Sequence, residues 1–125
     1  MHFRYSILYV DDVPATLKFY EQAFGFKTGF LHEGKDYGEL VTGDTKLAFS
    51  AKSLMREIGK SPADADPKAP CFELAFETDT VAEDFARAVA AGATPVQEPQ
   101  EMPWGQVISY VSDPNGFLIE ICAPI

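Results

Sequence analysis

Two histidines, two cysteines and a surplus of carboxylates are the side chains of this sequence equipped to bind metal, carry protons or attack an electrophile. The histidines stand apart: His2 precedes the first apolar run and His32 ends a strand-like stretch, both places where an imidazole is expected in water. Cys71 and Cys122 each fall inside an apolar run that reads as a strand, and no Cys-x-x-Cys spacing points to zinc or thiol redox chemistry. Both are therefore expected to be buried, inert thiols. Nineteen Asp and Glu against ten scattered Lys and Arg leave a formal net charge of −9. Such a surface has no positive field for nucleic acid or anionic lipid, so neither is an expected partner.

The elements that must position these groups follow from periodicity and punctuation. Phe3 to Val10 is rich in β-branched and aromatic residues and reads as a strand. Asp12 followed by Val13-Pro14 is a helix start, the apolar residues Val13, Leu17, Tyr20 and Phe24 recur at helical spacing, and Gly25 is the stop. Three strands are predicted at Lys27 to His32, Asp36 to Val41 and Thr45 to Ala51, separated by turn-forming Glu33-Gly34-Lys35 and Thr42-Gly43-Asp44. The pattern then fades from Lys52 to Pro70 into alanine, proline and charge, with a short helix near Ser53 to Ile58.

The order repeats in the second half. A strand at Cys71 to Glu77 leads into a helix at Val81 to Ala91, introduced by Thr80-x-x-Glu83 as a capping box and stopped by Gly92. Strands follow at Thr94 to Gln97, Gln106 to Ser112 and Phe117 to Ala123, the last two joined by the tight turn Asp113-Pro114-Asn115-Gly116. Overlaying Asp11 on Asp79 places Leu17 on Phe85 and Tyr5 on Glu73, and overlaying Leu47 on Ile119 places Ala48 on Glu120. The expected architecture is α+β: two tandem βαβββ modules, residues 1–52 and 70–125, joined by a linker over 53–69. At 125 residues they suit one domain, 1–125, built around a half-barrel cleft.

The string YVDDVPATLKFYEQAFGF resembles the opening of the glyoxalase, bleomycin-resistance and extradiol dioxygenase superfamily (the vicinal oxygen chelate fold), and WGQVISYVSDPNGFLIEIC resembles its closing strands. With the second helix, the resemblance covers nearly the whole chain. In the metal-using members, one side chain from the first and one from the last strand of each module hold the ion. The resemblance carries those positions onto Tyr5, Ala48, Glu73 and Glu120. Glu120 matches the family pattern, Glu73 stands where histidine is common, and Tyr5 and Ala48 depart from it. Two carboxylates without histidine are a thin shell for zinc, nickel or ferrous iron, and suit at best a loosely held, oxygen-loving divalent ion. No cofactor is expected, and Glu73 and Glu120 are the only weak metal candidates.

What remains is a small-molecule cleft. Glu73 and Glu120 are its expected catalytic pair, two nearby carboxylates of which one would keep its proton near neutrality and serve as base or hydrogen-bond clamp. Strand alternation sets Tyr5 and Ile7 on one face, groups Ala48 with Lys46 and Ser50, and groups Glu120 with Leu118 and Cys122. Tyr5, Ile7, Ala48, Ser50, Trp104 and Gln106 are accordingly the expected ligand contacts, while Phe19, Phe24, Phe76 and Phe85 are assigned to the core.

Two functions fit this pattern. One is a lyase- or isomerase-like enzyme acting on a small oxygenated metabolite. The other is a non-catalytic protein that sequesters a small molecule or antibiotic, for which an acidic cleft suits a cationic ligand. The opening Met-His-Phe-Arg-Tyr lacks a basic-then-apolar signal, and no apolar run approaches the roughly 20 residues that span a bilayer. The expectation is a cytoplasmic protein away from membranes, paired as a homodimer because half-barrel sheets leave open edges.

Overall fold

The computed structural model describes residues 1–125, which divide into two compact units, Met1–Ala63 and Asp64–Ile125. The first contains β1 (Tyr5–Val10), α1 (Val13–Phe24), β2 (Thr28–Leu31), β3 (Tyr37–Leu40), β4 (Lys46–Ala51) and α2 (Lys52–Glu57). The second contains β5 (Leu74–Glu77), α3 (Val81–Ala90), β6 (Thr94–Glu101), β7 (Val107–Ser112) and β8 (Leu118–Cys122). Each unit builds a four-stranded sheet in the same order, β1-β4-β3-β2 and β5-β8-β7-β6. In each, the first strand lies parallel to the last and the remaining pairs are antiparallel. Both sheets are open rather than closed barrels.

In unit 1 the local signals and the packing agree. Asp12 is the N-cap of α1, its Oδ1 accepting the Ala15 N–H at 3.0 Å. Gly25 ends the helix in the left-handed region at φ 77° and donates its N–H to the Glu21 carbonyl. The buried stripe Val13, Leu17, Tyr20 and Ala23 lies on the sheet over Leu8, Val10, Leu40 and Phe49. Tyr20 and Phe49 meet with ring centroids 4.9 Å apart. A glycine in β3 allows the approach: a Cβ on Gly38 would stand 2.7 Å from Leu17 Cδ1 and 3.2 Å from Val13 Cγ1.

Unit 2 is more lightly packed on its helix. Only Val81 and Ala88 of α3 are buried, over a core that includes Val111, Ile119 and Ile121. The turn into β8 is held by Asp113, whose Oδ1 accepts the N–H groups of Asn115 and Phe117 at 2.9 and 2.8 Å. Gly116 occupies φ 90°, and a Cβ there would lie 2.6 Å from the Ala65 carbonyl oxygen, so the turn can lie directly against the Ala65 backbone.

Several expectations are corrected. β5 begins at Leu74, not Cys71, because its partner β8 offers its first rung only at Leu74↔Ile119; Cys71 is consequently exposed rather than a buried strand residue. β6 runs on to Glu101, with register shifts on both sides of Gln97, as an edge strand carrying Pro95 and Pro99 can. The capping box at Thr80 does not form: Thr80 and Thr78 both donate their hydroxyls to Asp84 Oδ2, leaving no side-chain cap on the helix. Of the four phenylalanines assigned to the core, Phe19 is buried, whereas Phe24, Phe76 and Phe85 are half-buried. No helix is long and apolar enough to cross a membrane.

Candidate functional site

Because residues paired across strands share a face, the registers assign each sheet's side chains to the helix side or to the open side. In unit 2 one rung crosses all four strands of the open face: Ala75 on β5, Glu120 on β8, Tyr110 on β7 and Gln97 on β6. Tyr110 donates its hydroxyl to Glu120 Oε2 at 2.7 Å. The pKa of Tyr110 is pushed far above the usual tyrosine value, first by that hydrogen bond, then by burial and by the charges of Glu120 and Glu73. Glu73 adds its negative charge to the same effect from nearby. Glu120 by contact, and Glu73 by its charge, thus both act on Tyr110, a residue that alternation alone did not single out.

The next rung, Glu77↔Cys122↔Ile108, adds a third carboxylate and a thiol to this face. Cys122 is buried and its pKa is pushed up to about 11, chiefly by burial, then by Glu120, Glu77 and Glu73. It is a protonated, inert thiol at neutral pH. No lysine or arginine of unit 2 forms an ion pair with Glu73, Glu77 or Glu120.

Unit 1 carries the corresponding rung as Ile7↔Ala48↔Glu39. Here the carboxylate has moved to β3, and it is neutralised in place. Glu39 accepts the Tyr37 hydroxyl at 2.8 Å and pairs with Lys46 Nζ at 3.3 Å. Burial, followed by the hydrogen bond and charge of Glu39, raises the Tyr37 pKa well above the tyrosine range. Tyr5 and Ile7 lie on this open face, 45% and 46% exposed, and Phe30 joins them, its ring 6.3 Å from Tyr37. Ala48 and Ser50 share the face but are buried, Ala48 between Ile7 and Glu39 and Ser50 between Tyr9 and Tyr37.

The two expected contacts from the loop before β7 part ways. Trp104 is 62% exposed at the tip of the β6–β7 hairpin and donates its indole N–H to Gln106 Oε1 at 2.9 Å. Gln106 uses its other amide end on the Ala123 carbonyl, at 2.7 Å, so it ties the hairpin to the end of β8. His32 Nδ1 lies 3.1 Å from both the Gly34 nitrogen and Asp36 Oδ1 within its own hairpin, and His2 is exposed near the chain start.

The four positions that the family resemblance proposes for metal do not make a site for a tightly held transition ion. Ala48 offers no donor, Tyr5 is a phenol, and Glu120 already accepts the Tyr110 hydroxyl. Glu39, which shares the rung of Ala48, spends both oxygens on Tyr37 and Lys46. No group of three or more His, Cys, Asp or Glu converges on one point, where zinc or iron would need three or four such ligands.

Comparison with known proteins agrees with this architecture. The family model described as Glyoxalase/Bleomycin resistance protein/Dioxygenase superfamily matches residues 2–121. Virulence protein STM3117 of Salmonella typhimurium is 29% identical over 119 residues, spanning 92% of this chain and 78% of that protein. Among solved structures, a glyoxalase-related enzyme from Fulvimarina pelagi superposes with a TM-score of 0.85 at 23% identity, covering 99% of this chain and 88% of that one. A glyoxalase/bleomycin resistance protein/dioxygenase family enzyme from Burkholderia phytofirmans PsJN superposes with a TM-score of 0.81 at 24% identity over the full length of both chains. At these identities the structural likeness establishes the fold.

Proposed function

The chain belongs to the Glyoxalase/Bleomycin resistance protein/Dioxygenase superfamily, and from that premise we propose that it binds a small organic cation on the open face of unit 2, with Glu120 and Glu73 as the anchoring carboxylates. The observation that carries this reading is a carboxylate, Glu120, held by the Tyr110 hydroxyl, with the charge of Glu73 acting on the same hydroxyl and no lysine or arginine of the unit ion-paired to either. Such a face presents acceptors and negative charge, so the group that completes it brings N–H donors and positive charge. Unit 1 supports the assignment by contrast, since Glu39 has its cation built in as Lys46.

A second reading is an acid–base enzyme, lyase- or isomerase-like, acting on a small oxygenated metabolite. Tyr110 favours it. A hydroxyl kept protonated through the neutral range holds one oxygen of Glu120 in place and orients the carboxylate for taking a proton from a bound substrate. Both readings proceed without a resident transition metal, because the donor set does not fit one.

Titration of the purified protein with a panel of primary amines and guanidines, beside neutral carbonyl metabolites, separates the two. Amines that bind and emerge unchanged are the expected result. Glu120→Gln should then weaken binding by roughly tenfold to a hundredfold, the loss of a charge-assisted hydrogen bond of about 1.5–3 kcal/mol, while thermal stability stays nearly constant. Preferential binding and turnover of a neutral carbonyl compound would instead establish the enzyme. Equal loss of fold and binding in Glu120→Gln would make Glu120 a structural residue.

A further inference from the structure

We propose that Gln97 is the specificity-determining residue of this site, and that it selects cations which also carry an oxygen acceptor, such as a carboxamide or carbonyl, several bonds from the charge. The inference deepens the proposed function and rests on it for the position of the charge. Its own basis is separate. Gln97 Nε2 is shut off from solvent and has no hydrogen-bond partner, the only buried side-chain nitrogen or oxygen of the chain left so. An amide N–H in that condition costs stability unless an acceptor reaches it.

The location gives the orphan its meaning. Gln97 is the β6 member of the rung that runs through Tyr110 and Glu120, so its side chain belongs to the same open face as the carboxylates. Register shifts on both sides of Gln97 interrupt the ladder there, and bulges of this kind re-aim a side chain. Tyr110 donates its hydroxyl to Glu120, and its oxygen accepts no hydrogen bond from the amide. The rung therefore reads as acceptors on β8 and a waiting donor on β6. Two strand spacings separate them, about 9–10 Å between backbones and less between side-chain tips. A ligand that satisfies both ends places its ammonium at Glu120 and Glu73 and its oxygen at Gln97.

Three probes and one variant test this: benzylamine, 4-(aminomethyl)benzamide and benzamide, each titrated against the wild-type protein and Gln97→Leu, with the melting temperature of both ligand-free proteins. Leucine keeps the volume and removes the unpaired amide. The ligand-free variant is expected to melt no lower than the wild type. 4-(Aminomethyl)benzamide is expected to bind the wild type about tenfold tighter than the variant, and benzylamine to bind both alike. A clear fall in the melting temperature would overturn the proposal, because it would mean that the amide supports the fold. Equal effects of the variant on both amines would overturn it too, leaving the cation reading intact. If neither amine binds but benzamide prefers the wild type, Gln97 keeps its role and the cation reading fails. If no probe distinguishes the wild type from the variant, Gln97 has no such role.

Discussion

At the scale of single residues, the pairs Tyr110–Glu120, across β7 and β8, and Tyr37–Glu39, two residues apart along β3, act alike as proton-holding devices. Each phenol is partly buried against a carboxylate, and its ionisation is pushed up out of the usual range. In the unfolded chain the same phenols ionise near 10. A folded-state pKa above the unfolded one means that the stabilisation is fully present below about pH 10 and is lost as the pH rises from there toward the folded value. Denaturant unfolding at pH 8, 10 and 11 should therefore show a progressive loss of stability. Tyr110→Phe and Tyr37→Phe should each flatten part of that slope; an unchanged slope in the double variant would mean that other groups cause it.

At the scale of elements, the close seating of α1 on its sheet depends on what β3 omits. Gly38 leaves room for Leu17 and Val13, both buried. Gly38→Ala should destabilise the protein by about 1–3 kcal/mol, the usual range for overpacking a well-filled core. Chemical denaturation measures it, and a loss below about 0.5 kcal/mol would show that the helix can shift at little cost. The same element explains how unit 1 can lack a carboxylate at Ala48 yet keep one on its open face. Glu39, one strand over, fills that rung and meets Lys46 two residues upstream of Ala48 on β4.

At the scale of the whole molecule, two open sheets leave four edge strands, β1, β2, β5 and β6. Pro95 and Pro99 guard β6, whereas β1 carries no proline or lysine along Tyr5–Val10. We expect a homodimer that covers part of this exposed edge and of the apolar surface. Sedimentation equilibrium at micromolar concentration should give twice the chain mass, and a single-chain mass would refute it. Metal analysis of the same sample should find no stoichiometric zinc, nickel or iron; a full complement of any of these would show that the donor set had been misjudged.

The order of elements, the bounds of α1 and the tight turn at Asp113 to Gly116 were legible in the sequence because each rests on local signals: a capping aspartate, a stop glycine, an alternating run. The pairing of Glu73 with Glu120 rests instead on the family resemblance, because alternation orders side chains along one strand and does not relate the faces of two. Tyr110, Gln97 and the Tyr37–Glu39–Lys46 cluster were not legible. Their significance lies in rungs between strands, and a rung depends on register, which packing and turns set together and which slips by a whole face for one residue of error. The same reason explains Cys71. Its run reads as a strand, but a strand needs a partner along its length, and only the folded sheet decides that β8 begins at Leu118 and leaves Cys71 in solvent.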